Sequence, residues 1–159
     1  MKRILIAVSI ILMIILLPFS LISCTKDTAS ITKSVDLDVI MQDISSNVDI
    51  SMPTELDKQT LQQLFNLTPD QIGKYSGIFS MTMTSADTFI AIKAKDGDTS
   101  VIKEAYNNRI INIKSSFIKN INSEYKKVRN AKIIVKGDYV FLIIASDTKE
   151  VQEIINKYF

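Results

Sequence analysis

The chain has 159 residues, with 19 Lys+Arg against 17 Asp+Glu, no histidine and a single cysteine. Its length makes one domain the default. Without histidine or a second cysteine, Cys/His and Ser/His/Asp catalysis and Cys/His zinc sites are excluded, and a formal charge of +2 offers no basis for nucleic-acid binding.

The first element is not part of a folded domain. Lys2 and Arg3 precede a run from Ile4 to Leu17 that is apolar except for Ser9, and small residues then lead to Cys24. A basic start, an apolar middle and a small residue before a cut site describe a secretory signal peptide. The stretch Leu21-Ile22-Ser23-Cys24 resembles the lipobox of bacterial lipoproteins: an aliphatic residue, a tolerant position, a small residue, then the cysteine that receives lipid. The resemblance implies that residues 1–23 are removed, with Leu21, Ile22 and Ser23 read by the signal peptidase. Cys24 then carries diacylglyceryl and acyl chains into the membrane from the extracytoplasmic face. The alternative is an uncleaved membrane helix over residues 4–22, which at 1.5 Å per residue is roughly 28 Å long and sufficient to span a bilayer core. Both readings put the rest of the chain outside the cytoplasm. A redox role for Cys24 lacks any partner thiol or imidazole. Removing Lys2 and Arg3 leaves 17 acidic residues balanced by as many basic ones, so the mature chain is formally neutral.

Residues 24–34 (CTKDTASITKS) are polar, small and without period, a tether of roughly 35 Å at most. The domain is expected over 35–159. Leu37, Ile40, Met41, Ile44 and Val48 fit one helical face. Met52-Pro53-Thr54 interrupts, and Leu56 to Leu67 predicts a second helix with Leu61, Leu64 and Phe65 inward. Thr68-Pro69-Asp70 reads as a new helix start running to about residue 75. The period then changes. Ile78 to Met83 alternates, with Phe79, Met81 and Met83 on one side, and Thr88 to Lys95 returns as the second strand of a hairpin. Asp98 is placed to cap a long helix with Val101, Ala105, Ile110, Ile113, Phe117 and Ile121 inward. Glu124 to Arg129 adds a helical turn. Ala131 to Ser146 predicts a second hairpin around Gly137-Asp138, a type II′ turn, and its YVFLIIA run is apolar on both faces, as in a covered sheet. Thr148 to Phe159 closes with an amphipathic helix. The expected fold is α+β: a two-layer sandwich whose antiparallel sheet of about four strands is packed by the long and C-terminal helices.

The segments LQQLFNLTPDQI, SADTFIAIKAKDGDTSVIKEAYNNR and NAKIIVKGDYVFLIIASD make residues 36–159 resemble the small lipoproteins of Gram-positive bacteria grouped as domain of unknown function 4358. Members typically carry a lipoprotein signal, which agrees with Cys24. Where members tend to show a tyrosine and a proline before the tyrosine matching Tyr125, this chain has Asn120 and Asn122, so the helix end is expected to differ. The family carries no activity or ligand over to these residues.

Few motifs carry chemistry. Ser116-Phe117-Ile118-Lys119 is an S-x-x-K without the K-T-G of penicillin-binding enzymes, and a polar helix face produces it readily. Asp96-Gly97-Asp98 lacks the further oxygen ligands of an EF-hand, and a strand-to-helix turn explains it. Lys136-Gly137-Asp138 matches an adhesion tripeptide, but a hairpin needs such residues anyway. Met81 and Met83 suit copper(I) in principle, though core packing is the commoner use. Lys114, Lys119, Lys126, Lys127, Arg129 and Lys132 concentrate positive charge around Tyr125; Lys119, Lys126, Lys127 and Arg129 are the surface-patch candidates for anionic headgroups. No cofactor, metal or nucleic acid is expected. The expectation is a non-enzymatic, lipid-anchored module binding an envelope protein or component. The alternatives are a small hydrolase using carboxylates or Ser116 and Lys119, and a small-molecule carrier.

Overall fold

A computed structural model describes residues 34–117 and 121–159. Five helices and five strands follow in the order α1 (Leu37–Asn47), β1 (Pro53–Glu55), α2 (Lys58–Phe65), β2 (Ile72–Ser80), β3 (Thr88–Ala94), α3 (Thr99–Phe117), α4 (Asn122–Arg129), β4 (Lys132–Lys136), β5 (Tyr139–Ile144) and α5 (Thr148–Asn156). Aspartates start most of the helices, because a carboxylate satisfies an otherwise orphaned N–H in the first turn. Asp36 accepts from the Asp38 N–H at 3.0 Å, Asp57 from Thr60 at 2.6 Å, Asp98 from Ser100 at 3.0 Å and Asp147 from Lys149 at 2.8 Å. Asn66 ends α2 in the left-handed conformation, which asparagine tolerates better than most residues.

The strands form one antiparallel sheet in the order β1-β2-β3-β5-β4. Gly137 has φ +56° at the β4–β5 turn and Asp138 does not share a positive φ, as a type II′ turn requires. The α+β class holds, with two corrections. The sheet has five strands, the extra one being Pro53–Glu55, a three-residue edge whose proline needs no ladder partner on its outer side. The layers number three rather than two. On one face Ile90, Ile92, Val140, Leu142 and Ile144 meet α2, α3 and α4. On the other Phe89, Ala91, Phe141 and Ile143 meet α1 and α5. Strands β3 and β5 are apolar on both sides, so each face needs a cover. Tyr158 ties the second cover together by donating to Asp43 Oδ2 at 3.0 Å.

The helix expected from Pro69 is a turn. The Gln71 N–H donates to the Thr68 carbonyl at 3.0 Å, and the Gln71 side chain accepts from the Thr68 N–H at 2.8 Å. The chain then enters β2, where Gly73 and Gly77 disfavour helix. Gly77 is needed in the sheet as well. A Cβ there would lie 2.9 Å from Ile90 Cγ1 and 3.0 Å from the Phe89 carbonyl oxygen. Gly77→Val should therefore cost about 1–3 kcal/mol through overpacking, read as a lowered urea midpoint; an unchanged midpoint would show that β2 can move off β3 freely.

Strand β2 ends at Ser80, earlier than its alternation predicts, and Met81 and Met83 are 65% and 91% exposed in the connection to β3. They are not core. The stripe of α3 is also rotated: Ile102 and Tyr106 are fully buried, whereas Val101 and Ile110 are half-buried. Among the described residues no helix is long and apolar enough to cross a membrane. The segment 4–22 lies outside them.

Candidate functional site

The most polar buried place in the domain joins the β2–β3 connection to α4. Ser85, Asp87, Thr88 and Glu124 are its buried polar residues. Glu124 and Lys127 lie three apart on α4 and so share a face. Lys127 Nζ reaches Asp87 Oδ1 at 2.9 Å and Glu124 Oε1 at 3.2 Å. The second Glu124 oxygen accepts from the Ala86 N–H at 2.8 Å, and Ser85 Oγ donates to Asp87 Oδ2 at 2.7 Å. Burial pulls the Lys127 ammonium down, but hydrogen bonds and charge from Asp87 and then Glu124 outweigh it, so its pKa is raised. The lysine is thus held protonated between two carboxylates and is no general base. The Ser85 hydroxyl donates to a carboxylate whose charge is already matched. The cluster clamps a loop.

This arrangement changes the basic patch. Lys126 and Arg129 are exposed, but Lys127 turns inward. Lys114 lies over the Tyr125 ring at 5.7 Å. Lys119 lies outside the described residues, as do Leu21, Ile22, Ser23 and Cys24. Ser116, the other half of S-x-x-K, donates its hydroxyl to the Asn112 carbonyl of its own helix at 3.1 Å. Asp98 is spent on capping α3, through both the Ser100 N–H and hydroxyl. Among the described residues no three metal-capable side chains converge.

Several hollows open on the surface among the described residues. A trough of about 810 Å³ runs between α1 and the β1–β2 edge, with Asp38, Gln42, Glu55 and Ser76 beside Met41 and Tyr75. It adjoins a second hollow of about 500 Å³ that shares Asp38 and Tyr75 and reaches Ser34. On the opposite face of the sheet, a cleft of about 280 Å³ opens between α3 and the β2–β3 connection. Arg109, Asn112 and Ser116 line it from one side of α3, with Phe79, Ile113 and Phe117 below. The sequence offered one signal for this cleft: positions 109, 112, 113, 116 and 117 fall on one helical stripe.

Residues 46–145 match the family described as Domain of unknown function (DUF4358). The chain belongs to this family. No curated protein and no solved structure matches it. The DUF4358 span takes in the whole sheet, the Asp87–Lys127–Glu124 clamp and the α3 cleft. Helix α5 and most of α1, the two that cover the second face, lie outside it.

Proposed function

We propose that this DUF4358 protein is a lipid-anchored, extracytoplasmic binding module that presents the α1/β1–β2 trough to another envelope protein. The trough carries the reading. It is open, as large as many ligand sites, and mixes two carboxylates, the Gln42 amide and serine hydroxyls with Met41 and Tyr75, the mixed lining of a protein-recognition surface. The adjoining hollow reaches Ser34, only ten residues after Cys24. A lipid on Cys24 would hold Ser34, at the edge of that adjoining hollow, within roughly 35 Å of its attachment point. Buried carboxylates Asp87 and Glu124 are committed to Lys127, which disfavours the carboxylate hydrolase. Large side chains such as Tyr106 and Phe141 fill the space beneath the helices, which disfavours a carrier.

The anchor is tested by feeding an alkyne-tagged fatty acid to cells expressing the full chain. The wild type should be labelled and sediment with membranes, and Cys24→Ala should lose the label. An unlabelled wild type overturns the lipobox reading. The trough is tested by a photo-crosslinking residue at Gln42, with exposed Lys103 on α3 as the control position. A discrete membrane-protein adduct is expected from 42 and not from 103, and equal crosslinking from both sinks the assignment.

A further inference from the structure

Arg109 is the side chain in the α3 cleft that the fold leaves with the least to do. It is half-buried, and burial alone holds its pKa below the ordinary value. It still carries its charge at neutral pH, because arginine does not deprotonate there. Among the described residues no carboxylate lies within salt-bridge distance of it and no hydrogen bond engages it. A partly desolvated cation is costly unless an anion meets it.

The lining shows which sign and shape would fit. Among the described residues Arg109 is the one charged side chain of the lining, with no aspartate or glutamate on the walls. Asp87, close in sequence to the lining residues Ser85, Ala86 and Thr88, is held by Lys127 at 2.9 Å. Several lining hydroxyls are already committed: Ser85 to Asp87, Thr88 to the Ala86 carbonyl and Ser116 to the Asn112 carbonyl. The Asn112 side-chain amide, one turn along α3 from Arg109, has no such commitment among the described residues. Phe79, Ile113 and Phe117 supply an apolar floor. We propose that the cleft between α3 and the β2–β3 connection binds a small amphipathic anion, its carboxylate or phosphate on Arg109 and Asn112 and its apolar body on Phe79, Ile113 and Phe117. The guanidinium fork matches either oxyanion in a bidentate fashion. The volume of about 280 Å³ sits at the small end of ligand sites, so the body is the size of one ring or a short chain. The site does not depend on the anchor or on the trough, which lies on the opposite face.

Full-length protein in zwitterionic nanodiscs can be titrated with benzoate, phenyl phosphate and neutral benzyl alcohol, following the Arg109 Nε–H and Asn112 amide signals by NMR. One of the two anions should shift both signals with a Kd of about 1 mM or tighter, and benzyl alcohol should bind at least about tenfold more weakly. Whichever anion is preferred identifies the head group as carboxylate or phosphate. Arg109→Gln should abolish the preference for the anion, and Arg109→Lys should keep part of it, because the charge survives while the fork is lost. Equal binding of benzyl alcohol, unchanged binding by Arg109→Gln, or no shift of the Arg109 signal with either anion overturns the proposal.

Discussion

Lys127→Met should destabilise the domain by about 3–5 kcal/mol, the loss expected when one partner of a buried ion cluster is removed. Its side chain is 17% exposed, and the Asp87 and Glu124 side chains 11% and 9%. Removing the cation leaves two carboxylates buried side by side, and their repulsion adds to the desolvation that Lys127 had offset. Urea unfolding followed by circular dichroism gives the value. The triple variant Lys127→Met/Asp87→Asn/Glu124→Gln should recover at least half of the loss, since no charge is then stranded. A single-variant loss below about 1 kcal/mol would mark the cluster as an ordinary surface pair. The pH dependence has a definite sign. Lys127 has a raised pKa in the fold, against an ordinary value of 10.5. Burial raises the Tyr106 phenol well above its ordinary 10.0. Above those ordinary values the unfolded chain sheds protons that the folded chain keeps. Stability is therefore full below about pH 10 and falls as pH rises through the folded-state values. Lys127→Met should flatten that alkaline decline.

Much of the scaffold was legible because its signals are local. The Asp98 cap, the Gly137 turn and the doubly apolar YVFLIIA run are short-range patterns, and they appear where the sequence places them. What sequence periodicity missed depends on distant partners. Thr68-Pro69-Asp70 carries a valid helix-start pattern, yet residues 72–80 pair with β3 instead, because Gly77 allows a close approach to Ile90. Met81 and Met83 continue an alternation that has no sheet left to pack on. The run Val101-Ile102 leaves the phase of α3 ambiguous by one residue, and only contact with β3 and β5 decides for Ile102. The candidate sites follow the same division. Lys127 reads as one basic residue in a run, and its role comes from Asp87, 40 positions earlier. Arg109 has no local signal beyond its stripe; its interest comes from what the fold withholds from it. The two-layer expectation failed on arithmetic of faces: a strand buried on both sides demands helices on both, and α1 supplies the second cover together with α5.

That third layer makes a sharp prediction about core side chains on opposite faces. Tyr106→Ala and Phe141→Ala should each cost about 3–5 kcal/mol, as for other large aromatic truncations that leave a cavity. Tyr106 is fully buried on the α2/α3/α4 side and stands edge-on to Phe65 at 5.3 Å. It links α2 and α3 to the sheet. Its hydroxyl donates to the Ile90 and Val140 carbonyls at 3.4 and 3.3 Å, long bonds that make Tyr106→Phe worth only about 1 kcal/mol. Phe141 is 1% exposed on the other side, where Phe159 meets it edge-on at 5.8 Å. In a two-layer sandwich Phe141 would face water, and its truncation would be near neutral. Comparable losses at 106 and 141 in urea unfolding therefore establish two cores, one on each face of the sheet. A loss at 106 alone would return the fold to a single core, and α1 and α5 would then have to be loosely held covers that contribute little to stability.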